Sequence, residues 1–142
     1  VGRQTRRRGS PADRAPDGAP LNGALRRPPS IDAFGGGGFR VSGLWRAGSL
    51  LILDDDPRDW RPASLADLRA DDFAAVLAGG LERSEFVLLG TGGEQALPPR
   101  RVRDMIRGAG LGLEFMSSAA AARTYNVLAS EGRRFAAALI AV

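Results

Sequence analysis

Residues 117–142 read SSAAAARTYNVLASEGRRFAAALIAV, and the reading of this stretch decides the fold. The alanines at 119–122 are the strongest intrinsic helix formers. Ser118 ahead of them can cap the helix, its hydroxyl accepting from an early backbone N–H that has no intrahelical partner. Gly132 stops the helix, because glycine enters the left-handed cap without a Cβ penalty. Helical spacing groups Thr124, Val127, Leu128 and Glu131 on one side, and Arg123, Asn126 and Ser130 on another. Residues 135–142 then form an apolar run bounded by charge. Its length and its place after a helix favour a buried strand, with its three alanines keeping helix as the alternative.

Working backward, the same alternation recurs. Residues 111–116 read as a strand, and residues 98–106 as a helix opened by Pro98-Pro99, since proline is tolerated in a first helical turn. Gly108 and Gly110 close that helix. Residues 85–90 read as a strand ending in Gly90-Thr91-Gly92-Gly93. Strand, helix, strand, helix, strand over residues 85–142 predicts α/β winding. Residues 64–77 read as helical in two short turns, with Leu68, Phe73, Val76 and Leu77 as core candidates and Gly79-Gly80 as the end. Further upstream, Gly35 to Gly38 make a turn or bulge before a strand at 39–42. Residues 49–53 read as the partner of that strand, and Asp54-Asp55-Asp56-Pro57 ends it. Three adjacent carboxylates could meet a hard cation. A solvated loop is the commoner outcome, and neither a metal nor any cofactor is expected. Trp60 is expected to pack this loop onto the core.

The chain has 142 residues, 44% of them hydrophobic and 25% charged, which suits one globular domain with a sizeable core. It contains no cysteine and no histidine, so it has no disulfide framework, no thiol nucleophile, no Ser-His-Asp triad and none of the usual zinc ligands. No catalytic residue is assigned, and the balance leans away from an enzyme. The net charge of +4 is uneven: residues 1–29 hold seven arginines and two aspartates, whereas residues 30–142 hold thirteen arginines and fourteen acids. The body is therefore not expected to bind nucleic acid specifically. Residues 1–29 carry too little apolar surface to order themselves. They read as a disordered Arg/Pro-rich tail or as an upstream extension from a misplaced start. No apolar run reaches the length of a membrane span, and the first segment lacks the continuous core of a secretory signal. The expectation is a cytoplasmic protein, or one peripheral to an inner membrane.

Two nucleotide-binding motifs fail on inspection. The glycines at 35–38 lack the lysine of a phosphate loop, and the chain has no lysine at all. Gly90-Thr91-Gly92 follows a strand, but the third glycine of a dinucleotide fingerprint is Gln95, and Pro98-Pro99 delays the helix that would hold the pyrophosphate. A broader reading survives. In open α/β sheets, ligands sit beyond the carboxyl ends of strands. Gly90, Thr91 and Gly92 mark one such end. Ser117 and Ser118 mark another, feeding a helix N-terminus that favours an anion. Arg123, Asn126, Glu131 and Arg133 are polar and lie beside segments expected to be buried, where a charge must be paired. These nine residues form the candidate ligand or interaction site. Some of Arg123, Asn126, Glu131 and Arg133 are expected first as a network tying the last helix to the sheet near Thr91, and second as presenting a polar pocket at the strand ends. The plainer alternative makes Ser118 a cap, Thr91 a turn residue and Arg123 an ion-pair partner.

The combination of Ile31-Asp32-Ala33-Phe34-Gly35, Gly37-Gly38-Phe39, Gly48-Ser49, Trp60, Gly90-Thr91-Gly92, Arg123-Thr124-Tyr125-Asn126-Val127-Leu128 and Glu131-Gly132-Arg133-Arg134 resembles one family. It is the domain of unknown function four-nine-eight, also called MTH nine-three-eight-like, which includes a mitochondrial NADH dehydrogenase (complex I) assembly factor. The resemblance covers residues 30–142. It implies a single compact three-layer domain with mixed β-sheets and packed helices, and no established catalytic activity. It implies a protein partner, either a membrane complex subunit or assembly machinery, and leaves the oligomeric state open. Members typically carry Thr where Ser118 stands, Cys where Ala122 stands and Tyr where Phe34 stands. Two functions follow as expectations: a non-catalytic interaction protein assisting assembly of a respiratory or other membrane complex, or a small-ligand or anion-binding domain, conceivably an enzyme, with its pocket near Thr91 and Ser118.

Overall fold

The computed structural model describes residues 26–142. Three helices and eight strands build three layers around a five-stranded mixed sheet. The strands are β1 (Ile31–Gly35), β2 (Gly38–Val41), β3 (Leu44–Ala47), β4 (Ser49–Leu53), β5 (Asp56–Trp60), β6 (Phe86–Gly90), β7 (Gly112–Met116) and β8 (Phe135–Leu139). The helices are α1 (Ala74–Arg83), α2 (Arg100–Gly108) and α3 (Ser118–Ser130), with two short 3-10 turns, Leu65–Asp67 and Ala70–Phe73, ahead of α1.

The large sheet runs β5-β4-β8-β6-β7. β6 is parallel to both β7 and β8, and β4 is antiparallel to β8 and β5. From β6 the chain crosses through α2 to β7 on one side, then returns through α3 to β8 on the other. Because strand crossovers are right-handed, reversing direction puts the two helices on opposite faces. Both faces are thus covered, so β4, β6 and β8 are buried along nearly their whole length rather than alternating. Leu51, Leu53, Val87, Leu89, Ala136 and Ala138 face Val76, Val102 and Ile106 of α1 and α2. Leu50, Ile52, Phe86, Leu88, Ala137 and Leu139 face Ala121, Ala122, Tyr125 and Ala129 of α3, together with Phe39 and Val41 of the small sheet. The alanines of β8 are helix formers placed in a strand: pairing with β4 and β6 on both sides overrides local propensity.

Four expectations need correction. First, the strand at 39–42 does not pair with residues 49–53. β2 is the centre of a separate antiparallel sheet, β1-β2-β3, and β4 joins the large sheet instead. The missed strands are short and are linked by two-residue turns in which both residues take positive φ: Gly36-Gly37, then Ser42-Gly43. Second, Asp54 and Asp55, at φ 55° and 62°, form a third such turn, and Asp56 already belongs to β5. Aspartate tolerates this conformation better than most residues. Each of the three carboxylates turns to a different arginine: Asp54 to Arg83, Asp55 to Arg26 and Asp56 to Arg58. Third, the two short turns, Leu65–Asp67 and Ala70–Phe73, are 3-10, and the helix after them does not end at Gly79-Gly80: α1 continues to Arg83 past an interruption at Gly80, φ 58°. Fourth, residues 26–29, grouped with the tail on composition, touch the body. Arg26 donates to Asp55 through Nε and Nη2 at 3.2 and 3.0 Å, and Tyr125 Oη donates to the Pro29 carbonyl at 2.7 Å. The remaining tail, residues 1–25, lies outside the described residues.

Candidate interaction site

The ends of β6 and β7, where the crossovers leave for opposite faces, are where an open sheet would hold a ligand. Here the chain fills that place itself. The Thr91 N–H donates to the Met116 carbonyl at 2.8 Å, and the Ser118 N–H donates to the Gly92 carbonyl at 2.8 Å. Thr91 Oγ1 donates to the Glu94 carbonyl at 2.6 Å and accepts from the Ala96 N–H at 3.2 Å. Ser118 Oγ donates to the Ile140 carbonyl at 2.6 Å and accepts from the Gly92 N–H at 2.9 Å. Gly90 makes this approach possible, since a Cβ there would fall 2.8 Å from Ser118 Oγ. Ser118 is fully buried and is the first residue of α3 rather than its cap. The capping role belongs to Ser117, whose hydroxyl accepts from the Ala120 N–H at 3.2 Å. Sequence alone could not choose between adjacent serines; the strand ends chose, by taking the second one inward.

The other candidates lie along α3 and beyond its end. Asn126 grips one residue of β1 twice: its Oδ1 accepts from the Ile31 N–H and its Nδ2 donates to the Ile31 carbonyl, both at 2.9 Å. Arg123 is exposed, with its guanidinium 5.8 Å from the centre of the Phe34 ring. Thr124 and Tyr125 turn inward, and burial pushes the Tyr125 hydroxyl pKa up. Glu131 occupies the C-cap and is exposed. Gly132, at φ 77°, completes the stop: its N–H donates to Ala129 and the Arg133 N–H donates to Leu128. Arg133 stacks over Phe86 at 5.1 Å and lies 3.9 Å from Glu85. Ser118 and Arg133 therefore sit at opposite ends of a helix about 20 Å long. The expected network near Thr91 does not form: Asn126 serves β1, Arg123 serves Phe34 and Arg133 serves the start of β6.

The sequence reading missed a different feature. β5, one free edge of the large sheet, carries Asp56, Pro57, Arg58 and Asp59, the charge and proline that block further strand pairing. β3, a free edge of the small sheet, carries Leu44, 73% exposed, and Trp45, 50% exposed. The Trp45 ring lies across Gly38, where a Cβ would come within 2.8 Å of it. β3 is only four residues long and its Arg46 pairs with Asp59, so it is the exposed Leu44-Trp45 pair, rather than a long open edge, that has the composition of a protein contact. The signal was in the dipeptide, but only the turn at Ser42-Gly43 turns it into an edge. Opposite the small sheet, Arg61 holds Asp72 at 2.7 Å and Asp67 at 3.1 Å. Its guanidinium, with the Arg69 N–H, keeps the Asp72 carboxyl below the usual range.

These features describe a three-layer α/β domain, and comparison with known proteins places it. Residues 31–140 match the protein family of unknown function DUF498/DUF598, and the chain belongs to that family. It is 40% identical over 112 residues to an uncharacterized protein of Rhodobacter capsulatus, a match covering 78% of this chain and 82% of that one. It is 32% identical over 111 residues to the human NADH dehydrogenase [ubiquinone] 1 alpha subcomplex assembly factor 3, covering 78% of this chain and 59% of the human protein. Among solved structures, an outer membrane protein from Bartonella henselae is 34% identical with a TM-score of 0.73, covering 81% of this chain and 96% of that one. A Mth938-like domain from Bordetella pertussis is 25% identical with a TM-score of 0.66, covering 87% of this chain and 90% of that one. No helix among the described residues is long and apolar enough to cross a membrane.

Proposed function

We propose that this chain is a non-catalytic interaction protein that assists the assembly of a membrane protein complex, with a complex I-like respiratory complex as the specific case. The likeness to the human assembly factor carries the reading, because it extends over 111 residues, 78% of this chain. The β3 edge supports it by offering a surface for a protein subunit, with Leu44 and Trp45 as anchors. The lack of histidine and cysteine fits a role without chemistry. The protein would act from the cytoplasmic side, peripheral to the inner membrane.

The test is removal of the protein from its own cells, followed by native electrophoresis of detergent-solubilised membranes. Accumulation of partial respiratory complexes, restored by wild-type protein but not by Leu44→Ser/Trp45→Ser of unchanged melting temperature, is the expected outcome. Normal amounts of every respiratory complex in the depleted cells would overturn the reading.

A further inference from the structure

We propose that the outer face of α2 docks onto anionic lipid headgroups. The helix buries Val102 and Ile106 in the core. Its remaining surface carries Arg100, Arg101, Arg103 and Arg107 against the single acid Asp104. Arg103 donates Nε to the Pro98 carbonyl at 3.0 Å, and Arg100 lies 3.5 Å from Asp104 in an exposed pair of little energetic weight. Among the described residues, Arg101 and Arg107 make no ion pair or side-chain hydrogen bond. The nine-residue helix thus carries a net charge of +3, while the rest of residues 30–142 holds nine arginines and thirteen acids, a net of −4. Most of those other arginines are paired: Arg46 with Asp59, Arg58 with Asp56, Arg61 with Asp72, Arg83 with Asp54, and Arg133 and Arg134 with Glu85. The positive field of the body is therefore concentrated on α2.

The shape selects the surface. An amphipathic helix enters a protein groove through its apolar stripe, and here that stripe is already spent on the core. What remains is a convex basic face, suited to lying on a flat anionic layer. Leu97, 61% exposed, stands three residues ahead of Arg100 and supplies an apolar side chain for the headgroup boundary; Glu94 is the nearest acid before it. α2 packs on the opposite side of the large sheet from β1-β2-β3. A chain resting on lipid through α2 turns Leu44 and Trp45 toward a partner. The inference rests on the reading that the protein works on a membrane complex, and it assigns the face turned to that membrane.

The test is sedimentation of the full chain with vesicles of phosphatidylcholine alone, or with 30% phosphatidylglycerol (about that fraction, enough to make the surface strongly anionic). Each arginine near such a surface contributes about 1 kcal/mol, roughly fivefold in binding. Arg101→Gln/Arg107→Gln should weaken binding to the anionic vesicles roughly thirtyfold, leave the melting temperature unchanged and lose its salt dependence in part. The five arginines of residues 1–25 are present in every protein compared. Arg40→Gln/Arg123→Gln removes the same charge from the small-sheet side and should bind as wild type does. Equal loss in both variants would reduce the effect to net charge and overturn the proposal. So would equal binding to the uncharged vesicles, or a thirtyfold loss for duplex DNA with none for vesicles. The vesicles contain no protein, so failure here leaves the assembly phenotype as a separate result.

Discussion

Replacing Ser118 with alanine separates a structural tie from a ligand group. Ser118 is fully buried where α3 meets the ends of β6 and β8. Its hydroxyl bridges two backbone groups, donating to the Ile140 carbonyl at 2.6 Å and accepting from the Gly92 N–H at 2.9 Å. Ile140 is itself 1% exposed, and Gly92 is buried, so water does not readily replace the lost oxygen. A buried backbone group left without its partner costs about 1–3 kcal/mol. Two such groups give an expected loss of about 2–6 kcal/mol, a large share of the 5–15 kcal/mol typical of a whole domain. Urea unfolding followed by tryptophan fluorescence reads this directly: the midpoint should fall while the slope stays constant. Ser118→Thr keeps the hydroxyl and should recover most of the loss. A Ser118→Ala variant within about 0.5 kcal/mol of wild type, the range of an ordinary surface substitution, would refute the bridge and return the hydroxyl to a ligand role.

Two other outcomes follow from named contacts. Asn126→Leu should cost about 2–4 kcal/mol, because it leaves the N–H and carbonyl of buried Ile31 unpaired; hydrogen exchange of the Ile31 amide should rise with it, and an unchanged exchange rate would show that α3 does not hold β1. The folded-state pKa of Asp72 is depressed by Arg61, so its contribution is present above the unfolded carboxylate value near 4 and is lost as pH falls through the lower folded value. Asp72→Asn should therefore flatten the acid limb of the stability profile below about pH 4; an acid limb as steep as that of wild type would place the responsible group elsewhere.

The sequence by itself determined the α/β winding of residues 85–142. Apolar runs at 86–90 and 135–140, separated by helices, favour strands covered on both faces, and pairing on both sides then settled the alanine-rich run as β8. Gly132 fixed the end of α3 through its own backbone freedom, and the family was legible in the residues around it. Charge segregation along the chain was equally plain, whereas its concentration on α2 depends on the pairing of the other arginines, which only the fold sets. Local signals sufficed there because each depended on a residue and its immediate neighbours.

The tertiary structure decided which partners those elements took. Residues 39–42 and 49–53 both read as strands, but nothing local says that one is the middle of a small sheet and the other the neighbour of β8. That choice depends on turns at Gly36-Gly37 and Ser42-Gly43, which make hairpins of strands too short to announce themselves. The candidate site dispersed for the same reason. Ser117 and Ser118 are chemically alike, and Asn126, Arg123 and Arg133 are all polar residues in or just beyond one helix. A side chain's role is set by what stands opposite it. For Ser118 that is the Ile140 carbonyl, for Asn126 the backbone of Ile31 and for Arg123 the ring of Phe34. These groups lie 22, 95 and 89 positions away in the chain, beyond any local pattern, and are brought together only when both faces of the large sheet are covered.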